Sequence, residues 1–298
     1  MPPKNLLLCF DAFGTLFKPR QPVPQQYTEV AKALGLGGFS SEDVGRSFKE
    51  AFEQEARENP NFGKAKGMDS EKWWGNIITS TFAPLLGEKQ KMPTELVPKL
   101  LQRFWCDEGY CLYKDAVPLI RQLRESHKAS DTRVLVAVIT NSDDRVPDIL
   151  TSLGMQISPV RYGTKFENMP ATSWQDDVDF SVMSYDVGHE KPDKRIFAAA
   201  EEVLQTKLDG EGGVSEADRD PEQWRKVYVG DEYDKDVVGA LEAGWNAVLI
   251  DRETTRGRKD VEWLDPKPAG DLWNTFKTSK AVGFGSLEKL AEWLPGRI

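Results

Sequence analysis

Four apolar runs along the chain end abruptly in polar, reactive residues. Leu6-Leu7-Leu8-Cys9-Phe10 runs into Asp11, then Ala12-Phe13-Gly14-Thr15-Leu16. Val134-Leu135-Val136-Ala137-Val138-Ile139 runs into Thr140-Asn141-Ser142. Phe180-Ser181-Val182-Met183 leads to Gly188-His189-Glu190-Lys191-Pro192-Asp193. Val227-Tyr228-Val229 runs into Gly230-Asp231-Glu232-Tyr233-Asp234-Lys235-Asp236. Short continuous apolar runs followed by helical periodicity read as parallel strands buried on both faces. Ligands of such sheets sit at the carboxyl ends of the strands, so the four endings are expected to meet in one place.

Between the first run and the second, the pattern changes to a helical one. Tyr27, Val30, Ala31 and Leu34 have helical spacing, and Gly35 to Gly38 stop it. Ser40 and Asp43 form a plausible N-terminal cap for a second helix with Val44, Phe48, Ala51 and Phe52 on one face, ended by Asn59-Pro60-Asn61. Asp69 can cap a third, with Trp73, Trp74, Ile77, Ile78, Thr81 and Phe82 as its stripe, and a fourth is expected over 94–105. No strand pattern interrupts this stretch, so an all-helical insertion over 19–112 is expected. Beyond it, helices over 117–126, 145–153, 194–204 and 235–243 alternate with the strands; a further strand spans 247–250 and the last helix 287–294. The expectation is an α/β protein with a Rossmann-like parallel sheet core, residues 1–18 and 113–298, and a helical cap domain, 19–112, that could act as a lid. Segments 163–179, 209–223 and 253–280 are rich in Gly, Asp, Pro and charge and read as loops.

The 298 residues, 39% hydrophobic with 9 Trp and 14 Phe, can build a sizeable core. A formal charge of −9 argues against general nucleic-acid or anionic-membrane binding. Cys9, Cys106 and Cys111 suggest neither a disulfide framework nor zinc, and fit a reducing compartment. The apolar run before Asp11 is too short for a signal-peptide core and no later run could span a bilayer. A cytoplasmic location, with a nuclear one also open, is the resulting expectation. Oligomeric state is not legible.

Each ending has a structural and a chemical reading. Asp11 could be a nucleophile, a metal ligand or a cap on the following turn. Gly14 permits a tight turn that aims backbone amides at an anion. Thr140-Asn141-Ser142 could bind phosphate oxygens or simply make a strand-to-helix turn. Lys191 is either solvated or a cation beside Asp11. Asp231 and Asp236 at one strand end repel unless a cation lies between them, and an all-oxygen set of this kind suits Mg²⁺; part of the acidic run around them is a solvated helix cap.

Taken together, Asp-x-x-Gly-Thr, Thr-Asn, Lys-Pro-Asp and Gly-Asp-x-x-x-x-Asp, in this order and at strand ends, resemble the haloacid dehalogenase superfamily of hydrolases. Asn59-Pro60-Asn61-Phe62-Gly63 and the Trp73-Trp74 stripe resemble the subgroup of the rhythmically expressed gene 2 protein and haloacid dehalogenase-like hydrolase domain-containing protein 3. The resemblance implies that Asp11 is a nucleophile forming an aspartyl intermediate, and that Thr140, with the backbone near Asn141, holds a phosphoryl oxygen. It implies that Lys191 stabilises developing negative charge, and that Asp11, Asp231 and the Phe13 carbonyl hold Mg²⁺ with Asp236 as ligand or support.

The pattern is broken at one place. Phosphatases of this superfamily carry a second aspartate two residues after the first; here it is Phe13, which cannot carry a proton. General acid catalysis is worth ~10²–10⁴-fold, so alkyl phosphates should turn over poorly while aryl phosphates, acyl phosphates or halides suffer less. Dehalogenases of the superfamily have an aromatic residue here but work without metal and lack the acid that stands as Asp231. An unneutralised Asp231 would repel a haloacid carboxylate by ~4 kcal/mol at contact with an effective dielectric of 20. The expected activity is therefore Mg²⁺-dependent hydrolysis of a small phosphorylated molecule, with a metal-free dehalogenase or a non-catalytic ligand- or partner-binding protein as the rivals.

Overall fold

The computed structural model describes residues 5–87, 90–128, 132–165, 173, 175–211, 215, 217–253, 257–265 and 267–294. The chain divides into two compact units: Met1–Phe17 with Leu112–Asn141 and Met155–Ile298, and Lys18–Cys111 with Ser142–Gly154.

In the first unit a seven-stranded sheet is built from β1 (Asn5–Phe10), β4 (Val134–Thr140), β5 (Phe180–Met183), β6 (Trp224–Gly230), β7 (Asn246–Ile250), β8 (Glu262–Trp263) and β9 (Ala281–Phe284); β2 (Phe17–Pro19) and β3 (Tyr110–Leu112) form a separate two-stranded ribbon. The sheet order is β5-β4-β1-β6-β7-β9-β8, and every neighbouring pair is parallel. β1 lies inside the sheet, with Leu8 beside Val136 on one flank and Val227 on the other. All six of its residues are buried, which explains why it reads as an unbroken apolar run rather than an alternation. One face of the sheet packs Leu7, Cys9, Ile139, Val182 and Tyr228 against Ile196, Phe197, Ala200 and Leu204 of the helix Arg195–Gly210. Each such aliphatic side chain contributes about 1.5–3 kcal/mol when taken from water.

The second unit contains the helices Val23–Ala33, Ser41–Glu58, Ser70–Phe82, Leu96–Arg103 and Val146–Ser152. Ser40 and Asp43 make a reciprocal capping box, and Asp69 Oδ1 accepts from the Lys72 amide at 2.7 Å. Tyr27 stacks on Phe82, and the Trp73 indole donates to the Asn59 carbonyl. Arg145 is buried, forks onto Asp143 and lies over the Trp74 ring at 4.8 Å. Burial alone would raise the Asp143 carboxyl, but the guanidinium outweighs it and holds the group below the usual carboxylate value.

Several expectations need correction. β3 interrupts the stretch expected to be wholly helical. Segment 142–154, assigned from the sequence to the α/β core, packs with the helical unit. Phe52, expected on the buried face of its helix, is exposed. Segment 253–280 carries β8 and the short helix Leu272–Thr275, and β9 follows directly. Residues 166–172 and 174, 212–214 and 216, and 254–256 and 266, which belong to the three expected loops, lie outside the described residues, as do residues 1–4 at the start of the chain.

Candidate active site

β1 delivers Asp11. Its backbone amide still donates to the Val229 carbonyl at 2.8 Å, so the strand pairing holds the residue up to the sheet's carboxyl edge. The chain then turns: Gly14 donates to the Phe17 carbonyl and has φ +88°, a left-handed value suited to glycine. A Cβ at Gly14 would sit 2.3 Å from Asp231 Oδ2, so the absent side chain is what lets the Asp231 carboxyl approach the turn. Thr15 Oγ1 donates to Asp231 Oδ1 at 3.0 Å. Arg252, stacked 3.6 Å over the Tyr113 ring and forked onto Asp115, donates to the Thr15 carbonyl and supports that turn.

β6 delivers Asp231, and the single π turn Tyr233–Val237 behind it delivers Asp236. Turns of this type add a residue to the helical circuit and recur at functional sites. Asp236 Oδ2 accepts from the Glu232 amide at 2.8 Å, and Gly230 leaves the space in which that carboxyl lies, since a Cβ there would be 2.2 Å from it.

Lys191, buried, ties these elements together. Its ammonium lies 2.9 Å from Asp11 Oδ1, 2.7 Å from Asp236 Oδ1 and 2.6 Å from the Tyr228 hydroxyl. Tyr228 spends its one proton on the Ile139 carbonyl at 2.6 Å, so toward lysine it can only accept. The Lys191 backbone is gripped by Asn141: its amide donates to Asn141 Oδ1 at 2.6 Å, and Asn141 Nδ2 donates to its carbonyl at 2.9 Å.

The charges do not balance. Burial tends to lower the Lys191 pKa, but Asp11 and Asp236 more than reverse this, so the group is an ammonium. Burial, then Asp11 and Asp236, push Asp231 up to about 7 against the Thr15 hydrogen bond. Asp236 is also raised by burial, with Lys191 opposing. Burial, then the surrounding acids, keep Tyr228 a phenol. Three carboxyl groups thus face one ammonium.

Asp11, Asp231 and Asp236 each offer an oxygen within 4.8 Å of the other two. Asp11 Oδ1 is buried and, despite the nearby ammonium, receives no well-angled hydrogen bond. An under-satisfied buried oxygen, an electrostatically strained partner at Asp231 and an oxygen-only donor set all fit a hard divalent cation.

Of the residues singled out by the sequence, Asp11, Lys191, Asp231 and Asp236 form this one cluster. Thr140 is buried at the last position of β4, beside Asn141. The Asn141 side chain is committed to the Lys191 backbone, which leaves only its main chain for a ligand. Phe13 is 49% exposed, its ring edge-on to Phe17. Tyr228 and Thr15 were not given roles from the sequence. Tyr228 carried a signal, because a tyrosine inside a buried apolar strand must find a partner for its hydroxyl. Thr15 carried none beyond its motif.

A parallel sheet thus gathers a lysine and three carboxyl groups at its carboxyl edge, the arrangement of an α/β protein with an acidic site at the strand ends. The sequence pattern of the haloacid dehalogenase-like hydrolases matches residues 6–244, and the chain belongs to that family. It is 29% identical over 261 residues to the haloacid dehalogenase-like hydrolase domain-containing protein 3 of Xenopus laevis, covering 88% of this chain and 89% of that one. It is 27% identical to the rhythmically expressed gene 2 protein of Drosophila melanogaster, covering 82% of each. Among solved structures, a dehalogenase captured as an intermediate complex superposes with TM-score 0.57 at 17% identity over the full length of both chains. The magnesium-bound YfnB of Bacillus subtilis does so with TM-score 0.54 at 14% identity, over 96% of this chain and 97% of its own. These two likenesses concern the fold.

Proposed function

We propose that this protein is a Mg²⁺-dependent hydrolase of small phosphorylated molecules that uses Asp11 as nucleophile. The observation that carries the reading is the surplus of acid around Lys191: with one ammonium among three carboxyl groups, Asp231 is held at about 7, so the cluster favours a bound cation over a haloacid anion. Asp11, Asp231 and Asp236, with the Phe13 carbonyl, would hold Mg²⁺, which supplies charge neutralisation for the phosphoryl group.

In this scheme an Asp11 carboxylate oxygen attacks phosphorus, and the bond to the leaving oxygen breaks with its electron pair. Lys191, fixed by Asn141 and Tyr228, offsets the charge that develops. Thr140 and the backbone at Asn141 bind the phosphoryl oxygens. Water then cleaves the acyl phosphate, giving inorganic phosphate and the free Asp11 carboxylate. Phe13 can donate no proton to the leaving oxygen, so the preferred substrates are aryl or acyl phosphates, whose leaving groups depart as stable anions.

Turnover of p-nitrophenyl phosphate with Mg²⁺ tests this. Activity should be present in the unmodified protein and lost in Asp11→Asn. No turnover across a panel of aryl and acyl phosphates, or halide release from 2-haloacids in the presence of chelator, would overturn it.

A further inference from the structure

The amino ends of β6 and β7 border a second cavity. It has a volume of about 560 Å³ and is lined on one side by Trp224, Arg225 and Lys226 at the start of β6 and on the other by Trp273, Phe276, Lys277 and Lys280. β6 is seven residues long, so at ~3.3 Å per residue the cavity lies roughly 20 Å along the strand from Asp231. The two sites occupy opposite edges of one sheet.

The lining carries Arg225, Lys226, Lys277 and Lys280 against two acids, Glu222 and Asp271, a basic excess in a chain whose formal charge is −9. Lys226 is neutralised by Glu201 at 2.9 Å and Glu222 at 3.3 Å. The other three cations are not. Arg225 makes no side-chain hydrogen bond or ion pair among the described residues; its guanidinium lies over the Trp273 ring at 4.7 Å. Burial lowers its pKa, and Asp271 only partly compensates. Lys277 donates to a neutral partner, Asn274 Oδ1, and Lys280 is exposed with no ion pair among the described residues. Asp271, which lines the cavity, caps the helix Leu272–Thr275. A stacked guanidinium keeps its N–H edge available and matches phosphate bidentately.

Volume and lining narrow the ligand further. A space of this size exceeds what a lone inorganic anion fills and falls in the range of small-molecule sites. Trp273, half-buried, adds a flat apolar wall, backed by the buried Phe276 ring with its centroid 6.0 Å away. We propose that this cavity binds an organic phosphate bearing a planar ring, of nucleotide size, through Arg225 and Lys280 with the ring against Trp273. The inference is independent of the chemistry assigned to Asp11.

Calorimetric titration of the full chain in chelator with ADP, adenosine and inorganic phosphate tests it. ADP should bind, and adenosine and inorganic phosphate should each bind about tenfold or more weakly. Arg225→Gln and Lys280→Gln should each weaken ADP by about tenfold, the loss of one charge-assisted contact. Lys280 is exposed, so its replacement leaves the fold intact. Thr140→Val, at the other edge of the sheet, should leave ADP affinity unchanged. The proposal is overturned if ADP does not bind, if inorganic phosphate or adenosine binds as well as ADP, or if the Arg225 and Lys280 variants both retain full affinity for ADP.

Discussion

Single residues decide what the candidate centre can do, and under the proposed function Phe13 sets its limit. Its ring is half exposed, so replacing it disturbs little packing. Phe13→Asp should raise kcat on alkyl phosphates by ~10²-fold or more while changing aryl phosphates far less. The ratio of the two substrate classes, measured side by side, reads this directly, and an unchanged ratio would show that the position does not govern leaving-group protonation. Tyr228 acts differently. Its ring is fully buried and edge-on to Phe197, so Tyr228→Phe keeps the shape and removes only the hydroxyl. The Ile139 carbonyl then loses a donor and Lys191 loses an acceptor, at a cost of ~1–3 kcal/mol, visible as a lower urea midpoint with unchanged m-value.

At the level of elements, sequence pattern and structure agree where burial is continuous or a cap is chemically specified. β1, β4, β5, β6 and β7 were legible because strands buried on both faces leave no polar interruption. The helix Ser41–Glu58 was legible because Ser40 and Asp43 satisfy each other's backbone amides. Ser40→Ala should therefore lower stability by ~1 kcal/mol, measured as a fall in thermal midpoint. β8 and β3 were not legible, since two or three residues are too few to show a period. β9 contains Gly283, which breaks the apolar run, yet a side chain there would collide with Trp263, its neighbour across the β8–β9 pair. The π turn was read as an ordinary helix start, because nothing in Tyr233-Asp234-Lys235-Asp236 announces one extra residue per turn. Asp11, Lys191, Asp231 and Asp236 stood out because reactive residues at strand ends share an edge by topology alone, whereas the Tyr228 contact depends on side-chain direction across the sheet.

For the molecule as a whole, the surplus of acid couples folding to pH and, under the proposed function, to metal. Asp231 is raised from 3.8 to about 7, so the folded state binds its proton more tightly than the unfolded state. That contribution to stability is complete below pH ~4 and is lost as the pH rises through ~7. Under the proposed function a divalent cation would take the proton's place. The thermal midpoint should accordingly rise more on adding magnesium at about pH 8 than at about pH 5.5, by scanning fluorimetry. An equal rise at both values would count against a site at Asp231. Sheet order carries a different consequence. β1, which leads into Asp11, precedes both of its flanking strands in the chain, and these begin only at Val134 and Trp224. On the ribosome, the apolar run 6–10 must therefore wait for both neighbours until Trp224 and the residues after it have been made. A nascent chain stalled before Trp224 would present an unsaturated central seam, so chaperone demand during synthesis is written into the same topology that builds the catalytic edge.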